Sequence, residues 1–279
     1  MDLKKLIADT NFKFNKRLGQ NFIGSDKLLD DIVAAAGVES TDTVLEIGVG
    51  AGTLTRALSK KAGYVYGYEI DRGLQPVLAR TLAGVENCTV IFRDFMRVPM
   101  PEAESTVGGE YVVVANLPYY ITSPIVMKLI EQAKNCKRIV IMVQKEVASR
   151  FCAKAGSSDY GAITCAIDVA ADAKVVLEVG RSNFYPVPNV DSAVVRIDIN
   201  PDKYAVAGRK AFRDVVRCAF SSRRKTLANN LMSSFGLTRE VAEELVLAVA
   251  GDVKTRGEAL STKDFVVLAN LISERKIIV

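Results

Sequence analysis

Histidine is absent from this chain of 279 residues. Its absence removes the commonest general base, the commonest metal ligand and every Ser–His or Cys–His nucleophile pair. The five cysteines (Cys88, Cys136, Cys152, Cys165 and Cys218) are odd in number and widely spaced, with no C-x-x-C. That pattern suggests neither a disulfide framework nor a thiolate metal site, and a reducing cytoplasm and no metal are expected. No run of about 18 apolar residues occurs, and the first twenty residues carry Lys4, Lys5, Lys13, Lys16 and Arg17 without an apolar core, so neither a membrane span nor a secretion signal is expected. Low-complexity tracts and internal repeats are missing too.

What is present is the composition of a globular protein, 49% hydrophobic and 25% charged. The net charge is +5, and its distribution is uneven. From Ala205 to the end there are 13 Lys/Arg and 8 Asp/Glu, a surplus of 5, which leaves 24 of each sign in residues 1–204. A cationic tail region favours a polyanionic partner through counterion release.

Short β-branched runs alternate with amphipathic stretches as far as residue 199, which predicts a parallel, doubly wound α/β sheet. Seven strands are expected, at 44–48, 64–70, 88–92, 111–115, 138–143, 174–179 and 192–199, with helices near 53–62, 73–82, 124–134, 145–153 and 160–170. Asn200-Pro201-Asp202 interrupts the pattern, and beyond it the apolar spacing is helical. The expected division is a Rossmann-like catalytic domain over 1–204 and a small all-α domain over 205–279.

Glu46-Ile47-Gly48-Val49-Gly50-Ala51-Gly52 follows the first strand and opens the first helix. Glycines there permit a tight turn and close approach to a ligand. A dinucleotide fingerprint needs its third small residue at position 53, which is Thr53; the glycines fall at 48, 50 and 52, a form that resembles motif I of S-adenosylmethionine methyltransferases. Glu69 ends the second strand, 21 residues after Gly48, where a carboxylate can clamp ribose hydroxyls. Asp94 ends the third, where it can accept a bond from the adenine amine of the cofactor.

Asn116-Leu117-Pro118-Tyr119-Tyr120 follows the apolar strand YVVVA. An amide directly after buried residues is costly without a partner. Pro118 holds Leu117 extended, so the turn can aim the Asn116 oxygen and a backbone carbonyl at one planar NH2 group, beside the Tyr119 ring as a stacking face. Those acceptors suit an exocyclic adenine nitrogen, which gains positive charge as it is methylated. The proton can leave to water afterwards, so no imidazole is needed.

Taken in order, Gly19-Gln20-Asn21-Phe22-Ile23, the Gly48–Gly52 loop, Glu69-Ile70-Asp71, Asn116–Tyr119, Gln144–Ala148, Phe184–Val195 and Phe220–Leu227 resemble the landmarks of the KsgA/RsmA small-subunit rRNA adenine dimethyltransferases. The resemblance implies S-adenosylmethionine as donor and two adjacent adenosines in the 3′-terminal hairpin of 16S rRNA as acceptors, each taking two methyls, in an assembling 30S particle. It further implies that Asn21 and Ile23 lie over the cofactor, and that Phe184 sandwiches an extruded base against Tyr119. Arg217, Arg223, Arg224 and Lys225 are expected to grip rRNA phosphates, and the protein is expected to act as a monomer. Val49, Ala51 and Arg93 depart from the commoner family residues. Two other readings fit the same motifs: a large-subunit rRNA adenine methyltransferase of the macrolide-resistance type, and a non-catalytic assembly factor on this fold.

Overall fold

The computed structural model describes residues 3–118 and 120–277. The chain divides into two compact units, residues 1–148 with 173–199, and residues 149–172 with 200–279.

The first unit is built on a seven-stranded sheet. Its strands are β2 (Thr43–Ile47), β3 (Tyr64–Glu69), β4 (Cys88–Phe92), β5 (Tyr111–Asn116), β6 (Cys136–Gln144), β7 (Ala171–Val179) and β9 (Ser192–Ile199), in the order β4-β3-β2-β5-β6-β9-β7. A separate two-stranded ribbon pairs β1 (Phe22–Ile23) with β8 (Phe184–Tyr185) antiparallel. The five strands from β4 to β6 are parallel neighbours, whereas β9 runs antiparallel to β6. The sheet is therefore mixed and not wholly parallel as the sequence suggested; a β-branched apolar run reads the same in either direction.

Val44, Leu45, Val65, Val112–Val114, Ile139–Val143, Val194 and Val195 are buried. Strands covered on both faces have no polar side to alternate with, hence their continuous apolar runs. Helices α1 (Leu3–Asp9), α2 (Asp26–Ala36), α3 (Thr53–Ser59), α4 (Gln75–Thr81), α5 (Met100–Val107) and α6 (Thr122–Gln132) belong to this unit. Of these, α1, α2 and α5 were not anticipated. Helix α2 announces itself by an N-cap, with Ser25 accepting from Leu28 N, and by Gly37 in the left-handed conformation at its end. Helix α5 is only 8 residues long and begins with proline in its first turn, too short for helical periodicity to declare it.

The second unit holds α8 (Ala162–Asp168), α9 (Arg209–Phe220), α10 (Leu227–Phe235), α11 (Arg239–Ala250) and α12 (Thr262–Glu274), while α7 (Lys145–Phe151) crosses the division between the units. Thr226, Thr238 and Ser261 cap three of these helices at their N-termini. Residues 149–172 group with this unit and not with the sheet domain to which the sequence pattern assigned them. The reason is packing: the Tyr160 ring stacks edge-on against Phe220 at 5.8 Å, and Gly156 N donates to the Glu258 carbonyl at 3.0 Å. A contact across a hundred residues leaves no local trace in sequence.

Glu104 fixes α5 to the sheet. One of its oxygens accepts from the Tyr111 hydroxyl and from the backbone N–H groups of Lys134 and Asn135, at 3.1, 2.7 and 2.9 Å. Replacing Glu104 with Ala removes the shared acceptor of one buried and two partly buried donors and is expected to cost about 2 kcal/mol. A urea titration reads this directly, and an unchanged midpoint would show that the carboxylate is not what holds α5 there.

Candidate active site

Chain direction sets where a cleft forms. From β2 the chain moves outward through β3 to β4, whereas β5 lies on the other side of β2 and leads to β6. Between β2 and β5 the connections diverge from the carboxyl edge, and such a switch point leaves a crevice at the strand tips. Register aligns those tips: Ile47 faces Ala115 and Tyr68, and Glu69 faces Phe92. The next residues on each strand are therefore Gly48, Ile70, Arg93 and Asn116. A cleft opens there.

Gly48, Gly50 and Gly52 all have positive φ, at 79°, 57° and 79°. A Cβ at Gly52 would sit 2.8 Å from the Leu78 side chain, and one at Gly50 would meet the Phe22 ring at 3.1 Å, so both space and conformation demand glycine. The loop is pinned by Gly48 N donating to the Tyr68 carbonyl at 2.8 Å. It is pinned again by Gly50 N donating to Glu69 Oε2 at 2.8 Å.

Glu69 is buried, and its other oxygen accepts from Asp71 N at 2.8 Å. Burial pushes its carboxyl above the usual range, although these backbone N–H groups oppose the shift. Each oxygen keeps a further lone pair, so Glu69 can shape the loop and still take ribose hydroxyls. Asp94 lines the cleft; its Oδ1 accepts from Met96 N at 2.9 Å, and Arg97 stands 3.4 Å from Oδ2.

Asn116 lies at the tip of β5, and its Nδ2 donates to the Asn21 carbonyl at 3.2 Å. With the amide nitrogen engaged, Oδ1 meets no donor among the described residues and is the atom left for a ligand. The Pro118 carbonyl is occupied by Ile121 N and the Thr122 hydroxyl, at 3.1 and 3.3 Å, so Leu117 is the neighbour whose carbonyl can join Oδ1. Tyr119 lies outside the described residues. Tyr120, 63% exposed, stands at the cleft's mouth.

The β1–β8 ribbon supplies the opposite wall. It aligns Ile23 with Phe184, and Asn21, Ile23 and Phe184 all line the cleft. Most of the Phe184 side chain is packed into the core with Ile23, Leu54 and Val194, leaving 4% of the residue exposed. The structure thus brings together Asn21, Ile23, Gly48, Gly50, Glu69, Asp94, Asn116, Leu117, Pro118 and Phe184 around one space; Gly52 turns the loop just outside it. The four basic residues lie in the second unit. Arg217, Arg224 and Lys225 are exposed, whereas Arg223 donates to Glu258 at 3.1 Å and to the Ser158 and Tyr160 carbonyls.

Glu46 escaped the sequence reading, although it heads the glycine motif. It is 0% exposed, lines the cleft, and neither of its oxygens has a hydrogen-bond partner. Burial pushes its carboxyl up to about 8; the Thr55 hydroxyl lies near enough to oppose this without reaching hydrogen-bond geometry, and the Glu69 charge adds to it. A buried acid whose oxygens have no protein partner is costly, and a cationic ligand can offset that cost. S-adenosylmethionine carries an ammonium and a sulfonium. An acidic floor, a glycine turn with no room for a Cβ and acids at two strand tips fit that donor.

The family described as ribosomal RNA adenine dimethylase matches residues 11–270. The ribosomal RNA small subunit methyltransferase A of Clostridioides difficile is 41% identical over 275 residues, covering 98% of this chain and 95% of that protein. Its namesake from Clostridium acetobutylicum is 42% identical over 265 residues, covering 94% and 95%. Among solved structures, a dimethyladenosine transferase from Plasmodium falciparum superposes with a TM-score of 0.79 at 27% identity, covering 91% of this chain and 98% of that one. The 23S rRNA methyltransferase ErmE superposes with a TM-score of 0.69 at 27% identity, covering 90% and 99%.

The raised Glu46 carboxyl has a sign. A folded-state value above the unfolded one means that the folded protein binds the proton more tightly, so unliganded stability falls as pH rises from about 4.5 to about 8. Glu46→Gln is expected to flatten that part of the profile, raising the melting temperature at pH 8 while weakening S-adenosylmethionine binding. Coincident melting curves for the two proteins across pH 5–9 would remove Glu46 from this role.

Proposed function

The chain belongs to the ribosomal RNA adenine dimethylase family, and from that membership and the cleft described above we propose that it is an S-adenosylmethionine-dependent enzyme of small-subunit rRNA. It dimethylates the N6 amines of two adjacent adenosines in the 3′-terminal hairpin of 16S rRNA. The observation that carries the proposal is the tip of β5. There the Asn21 carbonyl holds the Asn116 amide nitrogen and leaves its oxygen for an incoming NH2 group.

The protein's own work is alignment and charge management. When bound, the donor supplies an electrophilic methyl on a positive sulfur. Glu46, Glu69, Asp94 and the Gly48–Gly52 loop hold it. Asn116 Oδ1 and the Leu117 carbonyl accept the two N–H bonds of the target amine, which orients its lone pair and favours the positive charge that develops there. From its place in the motif, Tyr119 is assigned as a stacking face for a base drawn out of its stack, and Phe184 lines the cleft. The released proton passes to water.

The 41–42% identity to small-subunit enzymes over nearly the whole chain favours the small subunit as substrate, and at the same 27% identity the dimethyladenosine transferase superposes better than ErmE, with TM-scores of 0.79 and 0.69. Arg217, Arg224 and Lys225, all exposed, are proposed to meet rRNA phosphates; Arg223 is committed first to its own unit. The working form is a monomer in the cytoplasm acting on an assembling 30S particle. No helix among the described residues is long and apolar enough to cross a membrane.

Asn116→Ala is expected to lower methyl transfer by at least about a hundredfold, the order of effect that follows loss of one preorganised hydrogen-bonding group aimed at developing charge, while donor affinity changes little. Dimethyladenosine released from digested small-subunit RNA is the readout, and a variant of near-normal activity would refute the assigned role. Neutralising Arg217, Arg224 and Lys225 together is expected to lower the slope of log affinity against log salt by about one unit for each phosphate no longer gripped. If the slope stays as in the wild type, these residues form only a solvated face.

A further inference from the structure

Lys128 is a lysine in an unusual place. It projects from α6, is 8% exposed, and carries its ammonium to the underside of the turn that follows β4. There Nζ donates to the carbonyls of Phe95, Val98 and Met96, at 2.6, 2.5 and 3.3 Å, and lies 4.7 Å from the centre of the Phe95 ring. An ammonium has three donors, and all three are spent on backbone oxygens of one turn. Burial lowers its proton affinity, and the nearby Asp94 charge opposes that. No carboxylate among the described residues shares its hydrogen bonds.

The other side of the same turn is a wall of the cleft. Arg93, Asp94, Phe95 and Met96 line it. Phe95 stacks edge-on against Tyr68, another lining residue, at 5.4 Å. Asp94 caps the turn through Oδ1, so its position follows from the course of the backbone that Lys128 holds. Carbonyls gathered on one side of a turn repel one another, and a cation among them removes that repulsion while fixing their direction.

We propose that Lys128 is a positioning residue of the cofactor site: by tying the Phe95, Met96 and Val98 carbonyls from behind, it sets the wall at which Asp94 reads the donor's adenine amine. The proposal rests on the reading of Asp94 given above. Lys128 never touches the donor; it acts through the turn. A contact that selects by hydrogen bond depends on sub-ångström placement of its acceptor, so support from behind governs discrimination more than bulk affinity.

The test is a pair of ligands differing at one group. S-adenosylhomocysteine carries the adenine amine, and S-inosylhomocysteine has an oxygen in its place. Isothermal titration of the wild-type protein is expected to favour the first by about tenfold or more, the worth of one buried hydrogen bond to a charged acceptor. Asp94→Ala should abolish that preference. Lys128→Met keeps the side chain's length and loses its donors; it should bring the ratio to within about threefold of unity, with the rRNA KM unchanged. Lys128→Arg, still a cation with several donors, should keep most of the ratio. If Lys128→Met does not fold, Lys128→Gln takes its place, expected to give an intermediate ratio.

Weakening of both ligands by the same factor, with the ratio intact, would make Lys128 a structural prop and overturn the proposal. Retention of the preference in Asp94→Ala would instead show that the adenine is read elsewhere, ending the Asp94 reading and this proposal with it.

Discussion

Strands β2 and β5 lie side by side in register, yet the chain departs from their carboxyl ends in opposite directions, toward β3 on one side and β6 on the other. Backbone hydrogen bonding forces the strands together, and connectivity forces the loops apart. The gap between those loops is where Gly48, Glu69, Asp94 and Asn116 meet. None of these residues has to be steered there separately, because each sits at the end of a strand, or just past it, whose register is already fixed by the sheet. The apolar strands thus do the positioning, and the polar tips inherit it.

Holding acids in that gap has an energetic consequence. Glu46 and Glu69 are both buried close to one another, and burial raises the proton affinity of each. Glu69 is partly compensated by backbone donors from the glycine loop and from Asp71. Glu46 has no such compensation. A site left unsatisfied in the free protein is satisfied on binding a cation, so part of the free energy that the empty cleft withholds from folding becomes available for binding. The same logic runs in reverse on the far side of the Asp94 turn, where a buried cation is compensated by three carbonyls and strengthens the wall.

The N-terminal segment shows how a small element can acquire a large role. Two residues on each side make up the β1–β8 ribbon, which places the Asn21 carbonyl against the Asn116 amide and Phe22 against the glycine turn. Phe12, Phe14, Phe22 and Tyr185 form a chain of ring contacts behind it, with centroids 5.4–6.1 Å apart. Hydrophobic anchoring of the segment thus decides which atom of a distant amide faces the cleft.

Sequence by itself determined the sheet's seven strands, the glycine turn, the order of acids at the strand tips and the Asn-Leu-Pro motif, because each is a local pattern: an apolar run, a spacing, a residue that blocks helix. Motif order along the chain also carried the family resemblance. Tertiary structure alone decided the rest. The antiparallel entry of β9, the placement of residues 149–172 with the helical unit, the pairing of Phe22–Ile23 with Phe184–Tyr185, the isolation of Glu46 and the tie from Lys128 to the turn after β4 all depend on segments far apart in sequence. A periodic pattern records which face of an element is buried, not what buries it. For a polar residue, the partner, or the lack of one, fixes its charge state and its use, and only the folded chain supplies that.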